Sequence, residues 1–88
     1  MSYTLDTTTT DSYQELVCPD VTTVTVQVSN TAISIGFGTG GNGRPGTATY
    51  SQDEVLLPSI GGLDRDCNAI RIKNYTPGTP ARVMLSAR

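Results

Sequence analysis

In VTTVTVQVS, residues 21 to 29, Val24, Val26 and Val28 alternate with Thr23, Thr25, Gln27 and Ser29, and nothing else in the chain restricts its fold so tightly. A period of two in β-branched residues marks a pleated strand with one apolar face, because successive side chains leave a strand on opposite sides. The alternation continues through AISIGFG, with Ile33, Ile35 and Phe37 on one face and Ala32, Ser34, Gly36 and Gly38 on the other; Asn30-Thr31 is a short polar connection. The two segments read as a β-hairpin. Further on, NAIRIKN turns Ile70 and Ile72 inward and Arg71 and Lys73 outward, and PARVMLSAR turns Ala81, Val83 and Leu85 inward and Arg82, Met84 and Ser86 outward. YTPGTP between them carries Pro77-Gly78 and Pro80, which punctuate a turn, so residues 68 to 87 read as a second hairpin.

Shorter strands are expected at 13 to 18 (YQELVC), 47 to 50 (TATY) and 54 to 58 (EVLLP), the last also compatible with one helical turn. No window holds apolar residues at three-and-four spacing over three turns, so no long helix is expected. The fold class is therefore all-β, a small antiparallel β-sandwich or jelly-roll-like barrel. Residues 13 to 88 form the single domain. Residues 1 to 12, polar and Thr-rich, are an N-terminal arm or an edge strand, of this subunit or of a neighbour.

GFGTGGNGRPGTATY, residues 36 to 50, contains G-x-G-x-x-G twice, at Gly36/Gly38/Gly41 and at Gly41/Gly43/Gly46. A dinucleotide cradle needs a helix whose first N–H groups face the pyrophosphate. Here Pro45 and a strand-like Thr-Ala-Thr-Tyr follow instead, and no Gly-Lys-Ser/Thr is present for a phosphate loop. Residues 36 to 46 read as a Gly-rich loop between strands, with a role against a partner.

The chain has no histidine, and with it go the commonest general base and every Ser-His or Cys-His nucleophile pair. Asp64/Asp66 and Asp53/Glu54 are the only candidate carboxylate pairs; they lack the spacing of an oxygen-rich calcium loop, and Arg65 between the aspartates suggests local pairing. No catalytic residue, metal or cofactor is expected. Cys18 and Cys67 are too few for a zinc site, which leaves buried thiols or one bridge, with thiols favoured for a cytosolic product. The N-terminus has neither a basic start nor an apolar run, so Asn74-Tyr75-Thr76 is not expected to be glycosylated despite its spacing. One lysine and five arginines against eight acids give no basic stripe for nucleic acid, and no apolar run suits a membrane.

A chain of 88 residues buries only about 60–65% of the surface its unfolded form exposes, so its core is thin and partners would add stability. Residues 1 to 64 hold seven acids and one base, while residues 65 to 88 hold five bases and one acid. That asymmetry favours docking between subunits over binding a polyanion, unless the bases simply line the solvent face of two strands. Tyr3, Tyr13, Tyr50 and Tyr75 suit the edges of a thin core or a subunit interface better than a ligand groove.

The closing segment LDRDCNAIRIKNYTPGTPARVMLSA, after the Gly-rich loop and the Val/Thr strands, resembles small all-β virion proteins of tailed bacteriophages, particularly capsid decoration and minor capsid proteins. The likeness lies in an Asp-Arg-x-Cys-x-x-Ile-Arg-x-Lys-Asn strand leading through a Pro-Gly turn into a final Ala-Arg-Val strand, and covers the last third of the chain. It implies a non-enzymatic sandwich, made in the host cytoplasm, that forms a homotrimer and stabilises the phage head by binding the major capsid protein. The candidate interface residues are Tyr3, Leu5, Phe37, Arg44, Tyr50, Tyr75 and Arg82. Competing readings are a tail or head–tail connector component and, in another class, a carbohydrate- or peptide-binding module.

Overall fold

The computed structural model describes residues 2–58 and 62–88. They form nine strands, β1 (Tyr3–Thr8), β2 (Gln14–Val17), β3 (Val24–Ser29), β4 (Ile33–Thr39), β5 (Thr49–Tyr50), β6 (Glu54–Leu56), β7 (Leu63–Arg65), β8 (Ala69–Asn74) and β9 (Arg82–Ala87), and no helix occurs among the described residues. One sheet has the order β1-β9-β3-β7; the other runs β2-β8-β4, and β5 and β6 share the far edge of β4 in succession. Every pairing is antiparallel. Between the sheets lies one core, built from Val24, Val26, Val28, Val83 and Leu85 on one side and Ile33, Ile35, Phe37, Ile70 and Ile72 on the other. These are the residues that the alternation turns inward, and the chain is a small antiparallel sandwich.

Neither expected hairpin forms. β3 belongs to the four-stranded sheet and β4 to the five-stranded one; likewise β8 and β9 lie in opposite sheets. Both connections are arches across the sandwich. Alternation dictates which side chains face the core but not which sheet carries them, since a hairpin and an arch bury the same residues. The first arch turns at Asn30, whose φ is 68°, and the Asn30 Oδ1 accepts the Arg82 N–H at 3.2 Å. In the second, the Thr79 N–H donates to the Thr76 carbonyl at 3.0 Å with Gly78 at φ 78°. A left-handed residue at the third position of such a turn calls for glycine, so the Pro-Gly turn forms where the sequence places it.

The N-terminal segment is part of the sandwich. β1 pairs with β9 from Tyr3 opposite Ala87 to Thr8 opposite Arg82. Thr9, buried at 1% exposure, then locks both arms of the second arch. Its hydroxyl donates to Asn74 Oδ1 at 2.6 Å and accepts the Ala81 N–H at 2.8 Å. Asp11 Oδ1 accepts from Asn74 Nδ2 and from the Gly78 N–H, each at 2.8 Å. Residues 3 to 11 are therefore an edge strand and a polar lock of this subunit, not a free arm; Met1 lies outside the described residues.

The three shorter strands fall inside their expected segments, and EVLLP contributes strand rather than a helical turn. β7 is an addition: at three residues, Leu-Asp-Arg is too short for a period to show. The Gly-rich segment needs correction at its start, because Gly36 and Gly38 lie within β4 and the loop begins only after Thr39.

Candidate interaction surface

The outer face of the five-stranded sheet carries a layer of two tyrosines around an arginine. Tyr13, next to β2, donates its hydroxyl to Asp53 Oδ2, and Tyr50, on β5, donates to Glu15 Oε2 on β2. The two rings thus cross the sheet in opposite directions. Arg71 on β8 stands between them, its guanidinium 4.8 Å from the Tyr13 ring centre and 4.9 Å from that of Tyr50, and pairs with Asp53 at 3.1 Å. Ser34 adds a bond to Asp53 at 3.1 Å, and Lys73 Nζ lies 4.6 Å from the Tyr13 ring centre.

Gly36 and Gly38 make room for this layer. A Cβ at Gly36 would come within 2.7 Å of Asp53 Oδ1 and 2.9 Å of Arg71 Nε, and one at Gly38 within 2.8 Å of the Tyr50 ring. The first half of the glycine motif is thus a packing device, which answers the nucleotide question against a cradle. The loop that follows folds back toward β2: the Gly46 N–H donates to Glu15 Oε1 at 2.8 Å, and Gly41 lies against Val17. A concavity of about 400 Å³ remains beside Tyr13, Glu15, Gly46 and Arg71. The polar groups around it already bond one another. Burial, then the bond to Glu15, pushes the Tyr50 hydroxyl pKa up; burial also acts to raise Asp53, but Tyr13, Ser34 and Arg71 outweigh it and hold its pKa down.

The sandwich has two long sides, and they differ. On one, Arg65 of β7 bridges to Glu54 of β6 through two bonds of 3.1 and 2.9 Å, and its guanidinium covers the Phe37 ring at 4.8 Å. That side is closed. On the other, β1 and β2 lie at the edges of their sheets, with a slot of about 110 Å³ lined by Leu5, Thr7, Gln14, Leu16, Ile70 and Leu85. Gln14 Oε1 is buried there without a hydrogen-bond partner, and Leu5 is 40% exposed.

β1 pairs on one side only among the described residues. The Thr9 N–H donates to the Ala81 carbonyl, extending the β1–β9 register by one pair. Bonding alternates along an antiparallel ladder, so Tyr3, Leu5 and Thr7 also bond toward β9, while Thr4, Asp6 and Thr8 aim their N–H and C=O groups away from the sheet. On the outer face, Arg82 grips Asp6 with bonds of 3.2 and 2.8 Å and holds its carboxyl pKa below the usual range. A shallow groove of about 350 Å³ runs beside Thr4, Asp6, Met84 and Gln27.

The structure divides the expected interface residues. Leu5, Tyr3 and Arg82 gather at the β1 edge; Tyr3 packs against the core, and Arg82 is engaged by Asp6. Arg44 is exposed in the loop, and Tyr75 is 54% exposed at the second arch, next to Asn74, which Thr9 bonds just past the end of β1. Phe37 is a correction: it is 7% exposed, a core residue under Arg65. Tyr50 is tied down in the tyrosine layer. Arg65 also departs from expectation, pairing with Glu54 while Asp64 accepts from Thr25 at 2.6 Å and faces Arg88 at 3.8 Å. Cys18 and Cys67 are both buried free thiols, each with its pKa raised by burial. Sequence reasoning missed Thr9, Glu15 and the outward-bonding residues Thr4 and Asp6, whose roles depend on which strands pair. Compared with protein-family models, curated proteins and solved structures, the chain matches none of them.

Proposed function

We propose that this chain is a non-enzymatic structural protein of a virion that stabilises the head by associating with copies of itself and with the shell protein. The observation that carries the reading is the β1 edge: a six-residue strand with one side unpaired among the described residues, beside an apolar slot and a partly exposed Leu5. Open edges invite another strand, and natural proteins ordinarily blunt them. The thin core of a short chain gives association a stabilising role, and the likeness of the last third to small phage virion proteins supplies the setting. The competing carbohydrate- or peptide-binding reading draws on the concavity at Tyr13, whose polar neighbours are bonded internally.

The test is to purify particles on a density gradient and quantify the chain against the major shell protein by mass spectrometry. A fixed ratio through successive gradients is expected. Recovery of the chain only in the soluble fraction would contradict the proposal.

A further inference from the structure

We infer that two copies of the chain join edge to edge through β1, antiparallel about a two-fold axis with Leu5 facing Leu5 of the second copy. The inference rests on the assembly reading above and specifies its contact. It starts from the residues whose backbone groups point outward, Thr4, Asp6 and Thr8. In a symmetric antiparallel pair those residues must bond among themselves, which leaves registers centred on Thr4, Leu5, Asp6 or Thr7; Thr4 against Thr4 pairs only Tyr3 to Leu5 of each strand. Asp6 against Asp6 sets like charges directly opposite each other, a destabilising cross-strand pair. Thr7 against Thr7 pairs only Asp6 to Thr8 of each strand and sets Leu5 opposite Thr9, which is already buried at 1% exposure.

Leu5 against Leu5 has none of these faults. Thr4 bonds opposite Asp6 of the second copy and Asp6 opposite Thr4, while Leu5 meets Leu5 on the core side. Tyr3 and Thr7 then face Thr7 and Tyr3. The pattern is self-complementary, as an isologous contact requires. It covers the side chain that the monomer leaves 40% exposed at the mouth of the slot. Each Asp6 keeps its Arg82 and meets a threonine of the second copy rather than a second carboxylate. β2, the other edge on this side, is less open because the Gly-rich loop folds against it at Glu15 and Val17. The product is a continuous sheet of eight strands, two copies of the four-stranded order. One strand per partner is a small contact, below about 1,200 Å², so the pair exchanges with monomer. A single self-complementary edge closes at two copies; the trimer implied by the resemblance would need a further, heterologous surface.

Leu5 facing Leu5 is a non-hydrogen-bonded pair, whose Cα separation of about 4.5 Å lies within the range that a disulfide spans. Leu5→Cys and, separately, Thr7→Cys are treated with diamide as oxidant and run on a non-reducing gel, with the native chain as control for the two buried thiols. Thr4→Pro is the second variant: it removes an outward N–H and leaves the bonds to β9, which an edge strand tolerates. Rapid dimer cross-linking of Leu5→Cys, little for Thr7→Cys, and loss of self-association in Thr4→Pro are expected. A dimer that cross-links through Thr7→Cys, or not at all, overturns the register while leaving the assembly reading standing. A chain that is monomeric in solution and absent from purified particles overturns both.

Discussion

The Tyr50 hydroxyl donates to Glu15 Oε2 at 2.5 Å, joining β5 to β2 across the two strands between them. Tyr13 returns in the other direction to Asp53, and Arg71 fills the space between the rings. The second layer so formed lies on the outside of a sheet whose inside already holds the core, and it offsets some of the thinness that a short chain imposes.

Gly38 and Tyr50 are coupled. Gly38→Ala sets a Cβ within 2.8 Å of the Tyr50 ring and 3.3 Å of the Ala69 Cβ. We expect a loss of about 1–3 kcal/mol, the usual cost of overpacking, which exceeds the gain of roughly 0.5–1 kcal/mol from replacing glycine in a strand. In the Tyr50→Ala background the same change should cost far less. Urea unfolding of the two single variants and the double variant measures the coupling.

Thr9→Ala should destabilise by about 1–3 kcal/mol, because the Ala81 N–H and Asn74 Oδ1 each lose a buried partner. Truncation before Asp11 removes both this lock and β1, and should lower the melting temperature further than Thr9→Ala alone. Thermal denaturation followed by circular dichroism checks both.

Acid should weaken the fold. The Asp6 carboxyl pKa is lowered by its bond to Arg82, that of Asp11 by the Gly78 N–H and then Asn74, and that of Asp53 by Tyr13, Ser34 and Arg71 against an opposing effect of burial. Each folded pKa lies below its unfolded value, so each contribution is complete above about pH 4 and disappears as pH falls through the folded pKa. Tyr50 acts at the other end: its pKa is raised by burial and by Glu15, so its contribution is lost as pH rises above about 10. Chemical denaturation over the pH range should show stability falling at both ends, and Tyr50→Phe should flatten the alkaline arm.

The core was legible in the sequence because burial and alternation are the same fact seen from two sides. Val24, Val26, Val28, Ile33, Ile35, Ile70, Ile72, Val83 and Leu85 all face inward as their period requires. Which sheet each strand joins was not legible, since an arch and a hairpin satisfy the same period, and from alternation alone both arches read as hairpins. The tyrosine layer escaped for a related reason: Tyr13, Glu15, Tyr50, Asp53 and Arg71 come from three separate stretches and meet only once β2, β8, β4 and β5 are in order. Gly36 and Gly38 were the available signal. Alternating glycines on the outward face of a strand mark a place where something packs across it.

Cys18 and Cys67 should resist alkylation. Both thiols are buried and burial raises their pKa, which reduces both access and thiolate. Iodoacetamide at neutral pH should leave the folded chain unmodified and add two groups in guanidinium chloride, as read by intact mass.

The most direct test of association through the β1 edge is sedimentation velocity across the micromolar to millimolar range, on the native chain and on Thr4→Pro side by side. The account predicts a native sedimentation coefficient that climbs from monomer toward dimer with concentration, and a Thr4→Pro chain that stays monomeric with nearly unchanged melting. A native chain that sediments as a monomer throughout, or a folded Thr4→Pro chain that associates as the native one does, would contradict it.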